Sequence, residues 1–172
     1  MNLKDFIREI PDYPKKGVSF KDISPLVSNI KAFKFCLDKM SNFVDSSDKE
    51  IEYFASIDAR GFIFGSVLSD RHNIPNVLIR KKGKLPPPVI SQSYELEYGN
   101  SEVEVSKISV PNKKNVLIID DLIASGGSAE ATSKLLESSG NNIIGICVAI
   151  KLSYLNPEKI FRKEFLSILE EA

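Results

Sequence analysis

The sequence predicts an α/β domain built on a central parallel sheet flanked by helices. Three observations lead there. Short apolar runs recur at 53–57, 76–80, 116–119 and 143–150, and a run without polar alternation suits a strand covered on both faces. Stretches with helical spacing separate these runs, so strand and helix alternate along the chain. The 172 residues match the size of one domain with a substantial core, and no internal repeat subdivides them.

The elements follow in order. Leu3, Phe6, Ile7 and Ile10 recur at helical spacing, which predicts an N-terminal helix over 2–10 that Pro11 stops. The Pro and Gly content of 12–25 predicts irregular structure, although Tyr13, Val18, Phe20 and Ile23 are too apolar for a free surface loop. Phe33, Cys36, Leu37, Met40, Phe43 and Val44 mark an amphipathic helix across 31–45. A polar loop at 46–50 leads to a strand at 53–57, a polar turn at 58–60 and a helix running to about His72. After the strand at 76–80 come a basic run, Lys81 to Lys84, and three prolines, Pro86 to Pro88. Residues 90–110 alternate apolar and polar side chains, which predicts a two-stranded hairpin turning at Gly99-Asn100. Its acidic strands predict few core contacts and hence a lid. Past the strand at 116–119, Ser128 is expected to cap a helix over 129–137 that stops near Gly140. The strand at 143–150 and a turn at 152–157 follow. For 165–169 the pattern fits an edge strand or a short helix equally.

The chemistry concentrates in Asn115-Val-Leu-Ile-Ile-Asp-Asp-Leu-Ile-Ala-Ser-Gly-Gly-Ser-Ala-Glu130. Asp120 and Asp121 stand at the carboxyl end of the strand, the edge where open α/β sheets bind ligands. Ala124, Ser125, Gly126, Gly127 and Ser128 form a turn of small residues opening into a helix, and such a turn cradles a phosphate with backbone N–H groups. Two carboxylates beside a phosphate site make sense if they hold hydroxyls or a Mg²⁺ ion. Neither G-x-x-x-x-G-K-[ST] nor G-x-G-x-x-G is present.

Composition narrows the classes. Lys plus Arg and Asp plus Glu number 23 each, so the electrostatic footprint of a nucleic-acid binder is missing. No apolar run approaches the ~20 residues that span a bilayer, so no membrane partner is expected. The charged N-terminus does not read as a signal peptide. Cys36 and Cys147 lie in apolar patterns and read as buried thiols of a reducing compartment. His72, the single histidine, reads as a solvated helix end, which argues against a His-based dyad.

The stretch 115–130 resembles the phosphoribosyl pyrophosphate signature of the type I phosphoribosyltransferases, with Ser125 and Ser128 in place of two threonines. Asp12-Tyr-Pro-Lys-Lys-Gly-Val-Ser-Phe-Lys-Asp-Ile-Ser-Pro25 resembles a motif of the adenine phosphoribosyltransferases within that family. Asp58-Ala-Arg-Gly-Phe-Ile-Phe-Gly65, Lys81-Lys-Gly-Lys84 and Ser93-Tyr-Glu-Leu-Glu-Tyr-Gly99 resemble further motifs of the same family, in the same order. The resemblance implies the type I phosphoribosyltransferase fold, with a small N-terminal hood at about 1–25 and a flexible β-hairpin lid at about 84–110. It implies the conversion of adenine and phosphoribosyl pyrophosphate to AMP and pyrophosphate, a purine salvage reaction, through an oxocarbenium-like transition state.

The resemblance also implies roles for residues. Phe20 stacks on the base, and backbone groups from Val18 to Lys21 read its edge. Asp58 orients a pyrophosphate loop formed by Ala59 and Arg60, and Lys84 meets the pyrophosphate. Glu97 handles a proton on the purine, with Tyr98 beside it. Asp120 and Asp121 grip the ribose hydroxyls, and Ala124, Ser125, Gly126, Gly127 and Ser128 fix the 5′-phosphate. Mg²⁺ is implied through the pyrophosphate and ribose hydroxyls of the substrate, with no dedicated metal ligands on the protein. A cytoplasmic homodimer is implied as well. In the family the turn at 58–60 often contains a non-prolyl cis peptide, and Pro87 stands where many relatives have Gly. Two other classes fit less well. A receiver domain carries its acidic pair on the first strand, and only 51 residues follow Asp121 here. A non-catalytic sensor of phosphoribosyl pyrophosphate would keep 120–128 and lack the hood motif and Glu97.

Overall fold

The computed structural model describes residues 1–96 and 99–171, which form two compact units, Met1–Lys39 and Met40–Ala172. In the first unit a 3₁₀ turn at Leu3–Phe6 precedes strand β1 (Arg8–Ile10), which pairs antiparallel with β2 (Phe20–Asp22). The helix expected over 2–10 is therefore a single turn. An isolated nine-residue helix is marginal in water, whereas pairing with β2 satisfies the backbone of 8–10, and the ion pair between Arg8 and Asp22 at 2.9 Å fastens the ribbon. The connection between the strands folds back on itself. Asp12 accepts the Gly17 N–H at 2.7 Å, the Tyr13–Pro14 peptide is cis, and Tyr13 meets Phe20 edge-on with ring centroids 5.3 Å apart. Asp22 accepts both the N–H and the hydroxyl of Ser24, which opens the short helix α1 (Ser24–Ser28). Helix α2 (Ile30–Ser46) follows, with Asn29 accepting the Lys31 and Ala32 N–H groups.

The second unit is organised by β3 (Tyr53–Ile57), α3 (Gly61–His72), β4 (Asn76–Lys81), β5 (Val89–Leu96), β6 (Gly99–Ser106), β7 (Asn115–Ile123), α4 (Gly127–Glu137), β8 (Asn142–Leu152) and β9 (Glu164–Glu171). Seven strands form one sheet in the order β5-β6-β4-β3-β7-β8-β9. The five from β4 to β9 are mutually parallel, and β6 joins β4 antiparallel. Residues 164–171 thus form the edge strand of the two readings open for that segment.

Both sheet faces are covered. Ala55, Ile57, Val116, Ile118, Ile146 and Val148 share a core with Ala129, Ala131, Leu135 and Leu136 of α4. The alternate face of β3 and β7 receives α3. There Gly65 permits the approach, since a Cβ would overlap the Ser56 hydroxyl, which donates to Asn76 Oδ1 at 2.7 Å.

Several expectations need correction. The hairpin is not loosely attached: Val103 and Val105 are buried, Ile90 and Tyr94 pack against the core, and β6 belongs to the main sheet. The acids that read as a solvated face are Glu102, paired with Lys82 at 2.7 Å, and the buried Glu104. The ladder pairs Leu96 with Gly99, so Gly99 and Asn100 start β6 rather than forming the turn. Ser128 lies inside α4; Gly126, at φ 90°, is the residue that caps it. His72 is not solvated, because its side chain is mostly enclosed, with Nδ1 3.4 Å from Asp45 and the ring edge-on to Phe54. Cys36 and Cys147, by contrast, are buried thiols outside any disulfide, as expected, and burial pushes Cys36 up to about 12.

Gly65→Ala should lower unfolding free energy by ~2–3 kcal/mol, the upper end of the usual cost of overpacking. Urea denaturation checks this; an unchanged midpoint would show that α3 can lift from β3 without loss.

Candidate active site

The carboxyl ends of β3, β4 and β7 converge on one edge of the sheet. From β3 the chain passes through Asp58, Ala59 and Arg60 into α3, and the Asp58–Ala59 peptide is cis. Asp58 Oδ2 accepts from Arg80 Nε at 3.0 Å and from the Lys81 N–H at 3.4 Å, so the end of β4 holds this turn in place. Arg60 reaches across to β7, with Nε 3.0 Å from Asp121 Oδ2. Asp121 is only 4% exposed. Its N–H donates to Asp120 Oδ1 at 2.8 Å. Gly61 makes the crossing possible: a Cβ there would stand 2.8 Å from the Ile119 carbonyl and 3.0 Å from Asp120 Oδ1.

Two acids side by side in this setting resist ionisation. Burial pushes Asp120 well above the usual carboxylate range, and the neighbouring Asp121 charge adds to the effect. Burial also raises Asp121, opposed by the Arg60 guanidinium. One cation facing two carboxylates leaves a site that gains from a further positive charge or from hydroxyl donors.

Beyond Asp121, β7 continues to Ile123, and Ala124, Ser125, Gly126 and Gly127 turn into α4. A side chain on Gly126 would be strained at φ 90° and would meet the Pro157 carbonyl at 3.0 Å. As at any helix start, the first-turn amides of α4 lack intrahelical acceptors, which is what an anion site needs. Ser128 Oγ donates to Tyr94 of β5 at 3.2 Å. Lys84 is exposed in the loop after β4; the preceding Gly83, at φ 75°, donates its N–H to Glu104 Oε2 at 3.0 Å.

Asp58, Ala59, Arg60, Asp120, Asp121 and the 124–128 turn therefore share one sheet edge, with Lys84 on the loop leaving the same end of β4. Val18, Phe20 and Lys21 belong to the N-terminal unit. There Phe20 is half-buried, and Lys21, 6% exposed, sets its ammonium 3.2 Å from Glu9. Glu97 and Tyr98 lie outside the described residues. Sequence reading missed Arg80, Glu104 and Tyr94. Strand alternation put Glu104 opposite Val103 and Val105, on the face read as solvent, yet it is only 6% exposed beneath the 82–84 loop.

A family profile described as the phosphoribosyl transferase domain matches residues 27–168. The adenine phosphoribosyltransferase of Brachyspira hyodysenteriae is 42% identical over 171 residues, 99% of each chain. The chain belongs to the adenine phosphoribosyltransferase family. Another member, from Treponema denticola, is 46% identical over 154 residues, covering 90% of this chain and 80% of its own. Among solved structures of adenine phosphoribosyltransferases, that from Thermoanaerobacter pseudethanolicus superposes with a TM-score of 0.93 at 38% identity, covering 98% of both chains. The Saccharomyces cerevisiae enzyme, solved with an imino-altritol bisphosphate and adenine, has a TM-score of 0.91 at 31% identity over 97% of this chain and 96% of its own.

The raised acids make a stability prediction. An acid raised by folding binds its proton more tightly folded than unfolded, so stability falls as pH climbs from the ordinary value of 3.8 through the raised one. Asp120→Asn keeps the acceptor for the Asp121 N–H and removes the ionisation. Its melting temperature should exceed wild type near neutral pH by about 2–4 °C, the shift that ~1 kcal/mol gives at this size. The difference should vanish below the ordinary carboxylate range. A lower melting temperature at neutral pH would mean that Asp120 ionises without cost.

Proposed function

We propose that this chain catalyses phosphoribosyl transfer from phosphoribosyl pyrophosphate to adenine, releasing AMP and pyrophosphate. The observation that carries the reading is the sheet edge where Arg60, the adjacent acids Asp120 and Asp121 and the Gly126 turn meet, in a chain of this family. The C1′–pyrophosphate bond breaks as positive charge builds on the sugar, and a purine nitrogen bonds to C1′ from the other side. Asp120 and Asp121 accept hydrogen bonds from the ribose hydroxyls and place negative charge near that developing cation. Amides of the 124–128 turn and the Ser125 and Ser128 hydroxyls hold the 5′-phosphate, and this remote binding energy positions the reacting carbon. The Ala59–Arg60 backbone, the Arg60 guanidinium and Lys84 neutralise the departing pyrophosphate. Arg80 and Glu104 act through other groups, by fixing Asp58 and the Gly83 backbone.

The site fits a Mg²⁺ ion that arrives with the substrate. Among the described residues no cluster of three or more His, Cys, Asp or Glu could hold a metal by itself, while the crowded carboxylates of Asp120 and Asp121 gain from added positive charge. When bound, Mg²⁺ screens the pyrophosphate charge and makes it a better leaving group. The family motif Ser93-Tyr-Glu-Leu-Glu-Tyr-Gly99 supports proton handling on the purine by Glu97, with Tyr98 beside it in sequence, under a lid.

For the base, stacking on Phe20 gives affinity, and backbone groups from Val18 to Lys21 give selection. The Lys21–Glu9 ion pair supports this, because an ammonium so engaged is drawn away from a purine carbonyl. The family also supports a homodimer, for which Ile63 and Leu78 offer exposed apolar surface on α3 and β4, and a cytoplasmic location; light scattering reads the assembly directly. Among the described residues no helix is long and apolar enough to cross a membrane.

Purified protein with adenine, phosphoribosyl pyrophosphate and Mg²⁺ should form AMP, and EDTA should stop it. Adenine should exceed hypoxanthine in kcat/KM by about tenfold to hundredfold, the cost of facing two acceptors. Glu97→Gln should lower kcat by ~10²-fold or more. Absence of AMP would refute the activity, while equal rates with hypoxanthine would refute only the choice of base.

A further inference from the structure

We propose that the cleft between α4 and the 157–163 segment is a second anion site, built for a phosphate or diphosphate group. The cleft is a partly open groove of about 420 Å³ lined by Glu130, Ser133, Glu137, Lys159, Ile160, Arg162 and Lys163. That volume falls within the ordinary range of small-ligand sites. Glu130, Ser133 and Glu137 recur at i, i+3 and i+7 and so form one stripe of α4. The opposite wall supplies three cations.

Charge favours an anion there. Both carboxylates already face cations: Glu137 lies 2.7 Å from Lys163, and Glu130 lies 3.4 Å from Lys134. Lys159 and Arg162 are exposed at the rim. An arginine fork matches two phosphate oxygens, and a lysine adds a point charge.

The buried hydroxyl is the second, independent sign. Ser133 is 1% exposed, and among the described residues its Oγ finds no hydrogen-bond partner. Hydroxyls inside helices commonly donate to a carbonyl one turn back, as Thr132 does to Ser128 at 2.8 Å. Ser133 does not, although it lies on the same helix. It lines the cleft, where an acceptor oxygen would take its proton. The cleft is separate from the Gly126 turn. Ser133 lies six residues past Gly127, ~9 Å along the helix axis, so an anion here shares none of the turn's amides.

The test is amide NMR of the isotopically labelled full chain, titrated with inorganic phosphate and with diphosphate at constant ionic strength, with acetate as control. Saturable shifts should appear at Ser133 and across Lys159 to Lys163. The Lys159→Glu, Arg162→Glu double variant changes only exposed side chains. It should weaken that response at least tenfold and leave the response at Gly126 to Ser128 intact. Ser133→Ala should weaken it about fivefold, the usual effect of one hydrogen bond. A parallel ADP titration distinguishes sources: competition at the cleft extends the site to nucleotide-borne phosphate, and no competition confines it to free anions. An unsaturable response, an equal response to acetate, or unchanged affinity in the double variant would overturn the proposal.

Discussion

The crowding of two adjacent carboxylates on β7, Asp120 half-buried and Asp121 buried, is the constraint to which the neighbouring structure answers. Asp120 and Asp121 repel each other, and burial disfavours their charged forms. Arg60 meets Asp121 at 3.0 Å and is the protein's local answer to that charge. One cation against two acids leaves an imbalance that hydroxyl donors or added positive charge relieve. Functional sites commonly hold such unfavourable charge, at a cost met by packing elsewhere.

That packing is visible in the glycines on both sides of α3's first turns. Arg60 reaches β7 only because Gly61 lets the helix start sit against the Ile119 carbonyl, and Gly65 lets the next turn settle over Ser56. A larger residue at either place would lift the helix and carry Arg60 with it. The Gly126 turn is braced in a similar way, with the Pro157 carbonyl directly behind it. The loops at this edge are therefore held by close backbone approach rather than by large side chains.

A second layer of charged groups fixes the residues at this sheet edge. Arg80 orients Asp58, and Glu104 anchors the Gly83 amide ahead of Lys84. Tyr94 links β5 of the hairpin to Ser128 in the first turn of α4. The body of the hairpin is thus continuous with the sheet and with α4.

The sequence by itself determined the parallel sheet, because covered strands such as Val116–Ile119 need no polar alternation and say so in one dimension. It also located the acids and the Gly/Ser turn, since their chemistry is local to fifteen or so consecutive residues. Tertiary structure decided what depends on distant partners. Residues 8–10 became a strand because 20–22 offered a ladder. Ser128 became the second residue of α4 rather than its cap because Gly126 could take a positive φ that side chains rarely adopt. Glu104 turned inward because the Gly83 amide, 21 positions earlier, needed an acceptor. The pairing of Arg60 with Asp121 joins residues 61 positions apart. No periodicity encodes such a contact; it exists only once β3 and β7 lie side by side.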